Sequence, residues 1–398
     1  MDKKEMILMI DEIRRIVSRQ ENSTDEEIKA EIENFILKDA RTVMLGFKEK
    51  RKLVNQIYYS IRKDLSILYP YSVDHDVTEI MVNGADNIFI ERFGDIEKVD
   101  SAFISTEELE EVIRRIAARV HREINELNPI VDARLPDGSR VNAVYKNIAL
   151  NGPILTIRKF PEKAITMEDL IRFGTISREA AEFLQKMILA GQNTFISGST
   201  GSGKTTLLNV LSNYIPNEER VIVIEDSAEL QIKTVENIVR MECRNANVQG
   251  KGMIDMQQLI KTSLRMRPNR IIVGEVRGKE VLDMVQAMNT GHDGSLSTGH
   301  GNSVEGMLKR LETMFLQAVN FPVDAIRSQL AEGIDIMVHL GRLPDRSRRV
   351  LEISEINGYE NNKFQINRLF KFDNEKGLIK TGNSLTKMDK LQIRGVHL

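Results

Sequence analysis

Residues 198–205 read Gly198-Ser199-Thr200-Gly201-Ser202-Gly203-Lys204-Thr205 and meet the pattern G-x-x-x-x-G-K-[ST] at every fixed position. Glycines at this spacing let a backbone curl until its amide N–H groups face a phosphate. Lys204 then reaches the β- and γ-phosphates, and the Thr205 hydroxyl is a Mg²⁺ ligand. The loop therefore predicts ATP and Mg²⁺ as cofactors, with Thr206 extending the contact set into the following helix. Hydrolysis also needs carboxylates near the γ-phosphate. Val221-Ile222-Val223-Ile224 runs into Glu225-Asp226, with Glu229 shortly after, and Ile271-Ile272-Val273-Gly274 runs into Glu275. Thr205, Glu225 and Glu275 are the metal candidates. One such carboxylate is as readily a surface cap as a catalytic group; two, downstream of a phosphate loop, favour a metal-and-water role.

His292 and His300 lie within Thr290-Gly291-His292-Asp293-Gly294-Ser295-Leu296-Ser297-Thr298-Gly299-His300. By itself such a pair reads as a hydrogen-bonded structural feature. A zinc site is disfavoured, because no cysteine accompanies the pair and its spacing is not helical. His75, His121, His339 and His397 stand outside any cluster, and Cys243 is the only cysteine, so no intrachain disulfide is possible.

The elements that must position these groups are legible. Thr194-Phe195-Ile196-Ser197 reads as a buried strand entering the loop, and Thr206-Leu207-Leu208-Asn209-Val210-Leu211 begins a helix whose dipole favours an anion. From about Ile176 strands and helices alternate, as in a parallel, helix-covered sheet. The tail after Leu340 reads as short strands with turns. Upstream, Glu79–Val82, Ile88–Ile90 and Leu155–Arg158 read as strands. Pro136-Asp137-Gly138-Ser139 is a hairpin turn between Ala133–Leu135 and Arg140–Val144, and a helix opens at Thr106. Phe160-Pro161-Glu162-Lys163 reads as a linker.

The first stretch is helical. Met6, Ile10, Ile13 and Val17 form one apolar stripe, Ile28, Ile32, Phe35 and Ile36 a second, and Leu53, Ile57, Ile61 and Leu65 a third. Ser23 and Glu26 have capping-box spacing, and Pro70 is expected to end the region. The expected fold class is α/β: a RecA-like P-loop NTPase domain at 161–398 with a strand-rich C-terminal extension, preceded by a small α/β domain at 69–160 and a helical bundle at 1–68. The 398 residues carry a net charge of −2 and no tryptophan, which disfavours a nucleic-acid-binding face. No apolar run approaches the ~20 residues of a membrane span, and the N-terminus lacks a secretory signal, so a cytoplasmic location is expected.

In this order, the phosphate loop, the acidic segment Ile224–Glu229, the segment Ile271–Arg277 and the segment Gly291–His300 resemble the Walker A, Asp-box, Walker B and His-box motifs of the type II/type IV secretion ATPase superfamily. Arg134–Asn142, Thr156-Ile157-Arg158-Lys159-Phe160 and Gly291–Ser295 are similar to signatures of its CpaF/TadA-type members, the ATPases of tight-adherence pili. The resemblance covers roughly residues 70–380. It implies a homo-hexamer at the inner face of the cell membrane, a sensor-like (PAS-like) N-terminal domain, and inner-membrane platform proteins that turn ATP hydrolysis into pilus assembly or secretion. It further implies that Glu229 activates water, that Glu275 acts on Mg²⁺, that His292 and His300 sense nucleotide state, and that Arg140 and Arg158 address phosphates. The residues alone would make those arginines surface ion pairs. Gly299 and Gly301 depart from the bulkier residues common in relatives and predict a less rigidly held His300. Two other classes remain open on sequence: a RecA-like nucleic-acid translocase and a nucleotide-gated scaffold that does not hydrolyse.

Overall fold

The computed structural model describes residues 3–17, 23–120, 122–160, 164–244, 246 and 251–398. His121 and the linker residues 161–163 lie outside that set. The chain divides into two compact units, Met1–Lys163 and Ala164–Leu398.

The first unit opens with helices α1 (Lys3–Val17), α2 (Asp25–Lys38) and α3 (Phe47–Arg62). Their stripes meet in one buried cluster: Met9, Ile10, Ile13 and Val17 pack with Ile28, Ile32, Ile36, Leu53, Val54 and Ile57. The capping box falls one residue later than Ser23–Glu26. Thr24 accepts from the Glu27 amide, and Glu27 accepts from the Thr24 amide. That register places Asp25, Glu26 and Glu27 in the first turn, where their charges offset the helix dipole. Leu65 lies beyond α3 and joins the core of the sheet instead. Pro70 does not end the helical region; it sits in the first turn of α4 (Tyr69–Val73), where its missing N–H has no partner to lose.

Six strands follow: β1 (Val77–Asn83), β2 (Ile88–Arg92), β3 (Asp95–Lys98), β4 (Ile130–Arg134), β5 (Arg140–Val144) and β6 (Ile154–Arg158). They form an antiparallel sheet ordered β3-β2-β1-β6-β5-β4. Helix α5 (Thr106–Arg119) buries Leu109, Val112, Ile113, Ile116 and Ala117 in the core of this sheet. Strand β3 is exposed at all four positions and lies at an edge, so no alternation marks it in the sequence. The β4–β5 turn is held as its residues suggest: Gly138 takes φ +88°, and Asp137 accepts from the Ser139 amide at 3.0 Å.

The second unit contains α6 (Met167–Arg172), α7 (Arg178–Leu189), β7 (Thr194–Gly198), α8 (Lys204–Ser212), β8 (Val221–Glu225), β9 (Ile238–Glu242), α9 (Met256–Ser263), β10 (Arg270–Val273), α10 (Val281–Asn289), β11 (Leu296–His300), α11 (Val304–Ala318), α12 (Val323–Gly333) and β12 (Ile336–Arg342). After these come β13 (Arg348–Glu360), β14 (Lys363–Asp373), β15 (Gly377–Lys380) and a short helix α13 (Asp389–Ile393). The sheet order is β15-β14-β13-β12-β7-β11-β10-β8-β9. It is parallel from β12 to β9, and β13 to β15 extend it antiparallel. Strands β7, β8 and β10 are buried at every position, which is why β8 and the Ile271-Ile272-Val273 stretch of β10 read as apolar runs, while β7 buries the hydroxyls of Thr194 and Ser197 as well. The tail is not a set of short strands. β13 and β14 run 13 and 11 residues, joined by Asn361-Asn362 with φ of +50° and +61°, the left-handed pair that a two-residue hairpin demands.

Candidate nucleotide site

The parallel strands β7, β8, β10 and β11 deliver their C-terminal ends to one edge of the sheet, the edge at which α/β sheets bind ligands. There β7 ends at Gly198, β8 at Glu225 and β11 at His300, while Glu275 stands two residues beyond β10.

The loop after β7 uses glycine for two reasons. Gly201 and Gly203 take φ of +70° and +95°, a region side chains resist. Gly198 is a matter of space: a Cβ there would lie 2.5 Å from Ser202 Oγ and 2.6 Å from the Leu340 carbonyl oxygen. Lys204 heads α8 with its side chain buried; Nζ donates to the Ser199 carbonyl at 2.9 Å and to His300 Nδ1 at 3.3 Å. Burial pushes its ammonium below the ordinary lysine value, with Glu275 pulling the other way. Ser202 Oγ is buried with no hydrogen-bond partner. A buried cation, an orphaned hydroxyl and the positive end of a nine-residue helix fit a phosphate group. Thr205 and Thr206 are half-buried in the first turn of α8.

Glu275 ties the other strands to this loop. His300 Nε2 lies 2.8 Å from Glu275 Oε1, though off the line of a hydrogen bond, and Arg277 donates to Glu275 Oε2 at 2.8 Å. Lysine can only donate, so His300 Nδ1 accepts and the ring is neutral with its proton on Nε2. Burial agrees, pushing the imidazole below its ordinary value against the opposing pull of Glu275. Arg277 also stands 3.5 Å from Asp226, linking the β10 and β8 loops. Among the described residues no cluster of three or more carboxylate, histidine or cysteine groups would hold a metal alone. Mg²⁺ takes one or two protein ligands and completes its shell with phosphates and water. Thr205 and Glu275 have the donor types for it.

Glu225 is engaged differently. It is buried, and its Oε1 accepts from the Glu229 amide at 2.7 Å and the Leu230 amide at 3.0 Å. Burial raises its pKa, and the two amides counter that. It braces the acidic loop and so positions Glu229, which is half-buried on that loop. Gly299 and Gly301 do not loosen His300: a Cβ on Gly299 would meet Met307 Cε at 2.7 Å, and one on Gly301 would meet Met307 Cβ at 3.0 Å. Met307 fills the room that larger neighbours would take.

His292 does not join the site. It precedes β11 at the opposite end of the strand, with Nδ1 3.2 Å from the Ala287 carbonyl at the end of α10. Arg140 and Arg158 belong to the first unit and sit directly opposite one another on β5 and β6; Arg134 faces Arg140 in turn. Glu79 stands opposite Arg158 on the other side. Arg134, Arg140 and Arg158 therefore form one cross-strand row, with the Glu79 carboxylate at its end beside Arg158. Arg134 stands in the sequence only as the start of a signature segment and not as a site residue, although the hairpin register alone places it in the row. Arg277, Lys309 and Arg310 were also missed as site residues. With Ser199, Thr200, His300 and Asn302 they border a cleft of about 750 Å³ beside the loop. Lys309 and Arg310 carried a signal, since they lie on the helix that directly follows His300.

Residues 62–369 match the family described as type II/IV secretion system protein. The Methanocaldococcus jannaschii protein MJ0781 is 43% identical over 252 residues, 61% of this chain but only 34% of that protein, so the match spans about a third of the relative's length. The Rhizobium radiobacter conjugal transfer protein TrbB is 32% identical over 326 residues, 81% of this chain and 96% of that protein. The solved Legionella pneumophila ATPase DotB shares the fold, with a TM-score of 0.53 at 20% identity over 77% of this chain and 80% of its own. The chain belongs to the type II/IV secretion system protein family and is an α/β ATPase of that family, with a RecA-like P-loop domain.

Proposed function

We propose that the chain is the subunit of a homo-hexameric motor that hydrolyses ATP with Mg²⁺ to drive pilus assembly or secretion, of the CpaF/TadA type that serves tight-adherence pili. The observation that carries this reading is the convergence of Lys204, His300 and Glu275 at the end of the phosphate loop. In this reading Gly198–Thr206 hold the phosphates, and Thr205 and Glu275 hold Mg²⁺, which supplies charge neutralisation at the phosphates. Glu229 orients the attacking water on the loop that Glu225 braces. The neutral His300 connects the state of Lys204 to Glu275 and so senses the nucleotide. Arg140 and Arg158 are the phosphate-directed groups of the 69–160 domain, which acts as the sensor-like partner of the 161–398 motor domain. Platform proteins at the inner face of the cell membrane receive the motion. Among the described residues no helix is long and apolar enough to cross a membrane, which accords with a peripheral role.

The test has two arms. Purified chain should turn over ATP only with Mg²⁺ and should gain mass as a ring when ATP is added. Deleting the gene should abolish surface pili or secreted cargo, and the wild type, but not Glu275→Gln, should restore them. Turnover that appears only with DNA and falls steeply with salt would make it a nucleic-acid translocase instead.

A further inference from the structure

The connection between α2 and α3 exposes the wrong residues for a bare turn. Leu37 is 57% exposed, Val43 67%, Met44 94% and Phe47 78%. They sit in a segment, residues 37–52, that holds six basic and two acidic residues in a chain whose net charge is −2. Both acids are engaged locally. Asp39 accepts from the Arg41 amide at 2.8 Å and its guanidinium at 2.9 Å, and Glu49 accepts from the Gly46 amide at 2.7 Å. Lys38, Lys48, Arg51 and Lys52 are exposed. The turn is also braced: Thr42 is buried, and its hydroxyl donates to the carbonyls of Ile36 and Asp39. Its apolar tip is therefore presented by construction and not by fraying. A protein partner selects against lysine at an interface. A lipid surface selects for large apolar side chains beside lysine and arginine.

We propose that this tip is a membrane-contact site for the surface of an anionic bilayer. Met44 and Phe47 enter the headgroup layer, and Lys38, Lys48 and Arg51 pair with lipid phosphates. The inference stands on the first unit alone and is independent of the motor reading. Flotation of the full chain with vesicles tests it, using phosphatidylcholine alone and phosphatidylcholine mixed with phosphatidylglycerol. The chain should float with the anionic vesicles and not with the neutral ones. Lys48→Glu with Arg51→Glu should weaken that binding at least tenfold, since each basic group near such a surface is worth about fivefold, and should flatten its salt dependence. Met44→Ser with Phe47→Ser should weaken binding while leaving the salt slope unchanged. Both pairs should keep the lipid-free ATPase rate and the helix content of the wild type. No flotation with anionic vesicles, equal flotation with neutral ones, or wild-type flotation of either double variant would each overturn the assignment.

Discussion

The two ends of β11 do different work with the same residue type. Its register pairs His300 with Gly198 and Leu296 with Thr194. At about 3.3 Å per residue, four steps of strand separate the ends by roughly 13 Å, and His292 lies four residues further back. At the His300 end the neighbours are charged: Lys204, Glu275 and Arg277. At the His292 end they are braces. Asn193 Oδ1 accepts from the amides of Gly294 and Ser295 at 2.9 and 3.1 Å, Ser295 Oγ donates to the His292 carbonyl at 2.7 Å, and Lys390 pairs with Asp293 at 2.7 Å. A motif that is one unit in sequence is thus electrostatic at one end and mechanical at the other.

The largest effect belongs to the electrostatic end. Lys204→Ala removes the buried cation that donates to both Ser199 and His300. Nucleotide binding measured by calorimetry should fall below detection, and turnover should vanish with it. Wild-type turnover in this variant, with contaminating ATPases excluded, would remove the loop from the reaction.

Two carboxylates then sharpen the contrast. Glu275→Gln keeps the shape and removes the charge beside His300, so ATP should still bind while turnover falls on the order of 10²-fold or more. Glu225→Gln keeps an acceptor oxygen for the Glu229 and Leu230 amides, so the acidic loop should hold and turnover should fall much less. A reversal of these two magnitudes would make Glu225 the metal residue and Glu275 the brace.

The phosphate loop and the β8 and β10 carboxylates were readable because full burial writes itself as unbroken apolar runs ending in charge. The amide contacts of Glu225 were not readable, because a carboxylate that accepts two backbone amides looks in sequence like one that holds a metal. The separation of His292 from His300 needed the strand register. So did the pairing of Arg158 with Arg140, since these cross-strand neighbours are distant in sequence, whereas Arg134 and Arg140 face each other across the turn the sequence already marks. The long β13–β14 hairpin was missed for another reason: its solvent face is polar and its turn is Asn-Asn, without the glycine that usually marks one.

His300→Gln sits next in size. Glutamine offers an acceptor but no titrating ring to Lys204, and a roughly tenfold loss of turnover is expected from disturbing that one bond. The pH profile identifies the cause. Burial holds His300 below the ordinary imidazole value of 6.5, so the neutral, accepting form persists to lower pH and is lost only as acid protonates it. Wild-type turnover should show an acid limb below about pH 6.5 that the Gln variant lacks. Folding follows the same sign: the unfolded chain takes the proton first, so this group's contribution to stability declines as pH drops through that range. An acid limb of unchanged position in His300→Gln would assign it to another group.

His292→Ala should be the smallest effect and is the sharpest test of the comparison. The imidazole Nδ1–H donates to the Ala287 carbonyl, which already accepts from the Thr290 amide at 3.2 Å. Removing it leaves that carbonyl satisfied, so the cost is one net hydrogen bond, about 0.5–1.5 kcal/mol. Thermal unfolding should show a modest drop in Tm, with nucleotide affinity unchanged and turnover within about twofold of wild type, because no more than one brace at the far end of β11 is lost. The Asn193, Ser295 and Lys390 contacts remain to hold the loop in place. If His292→Ala instead lowers turnover as far as His300→Gln while the Tm stays put, the two ends of β11 are not separate in function. His292 would then have to meet a nucleotide from outside its own subunit's phosphate edge, and a mixed ring of His292→Ala and Lys204→Ala subunits would reveal it by recovering activity beyond that of either parent.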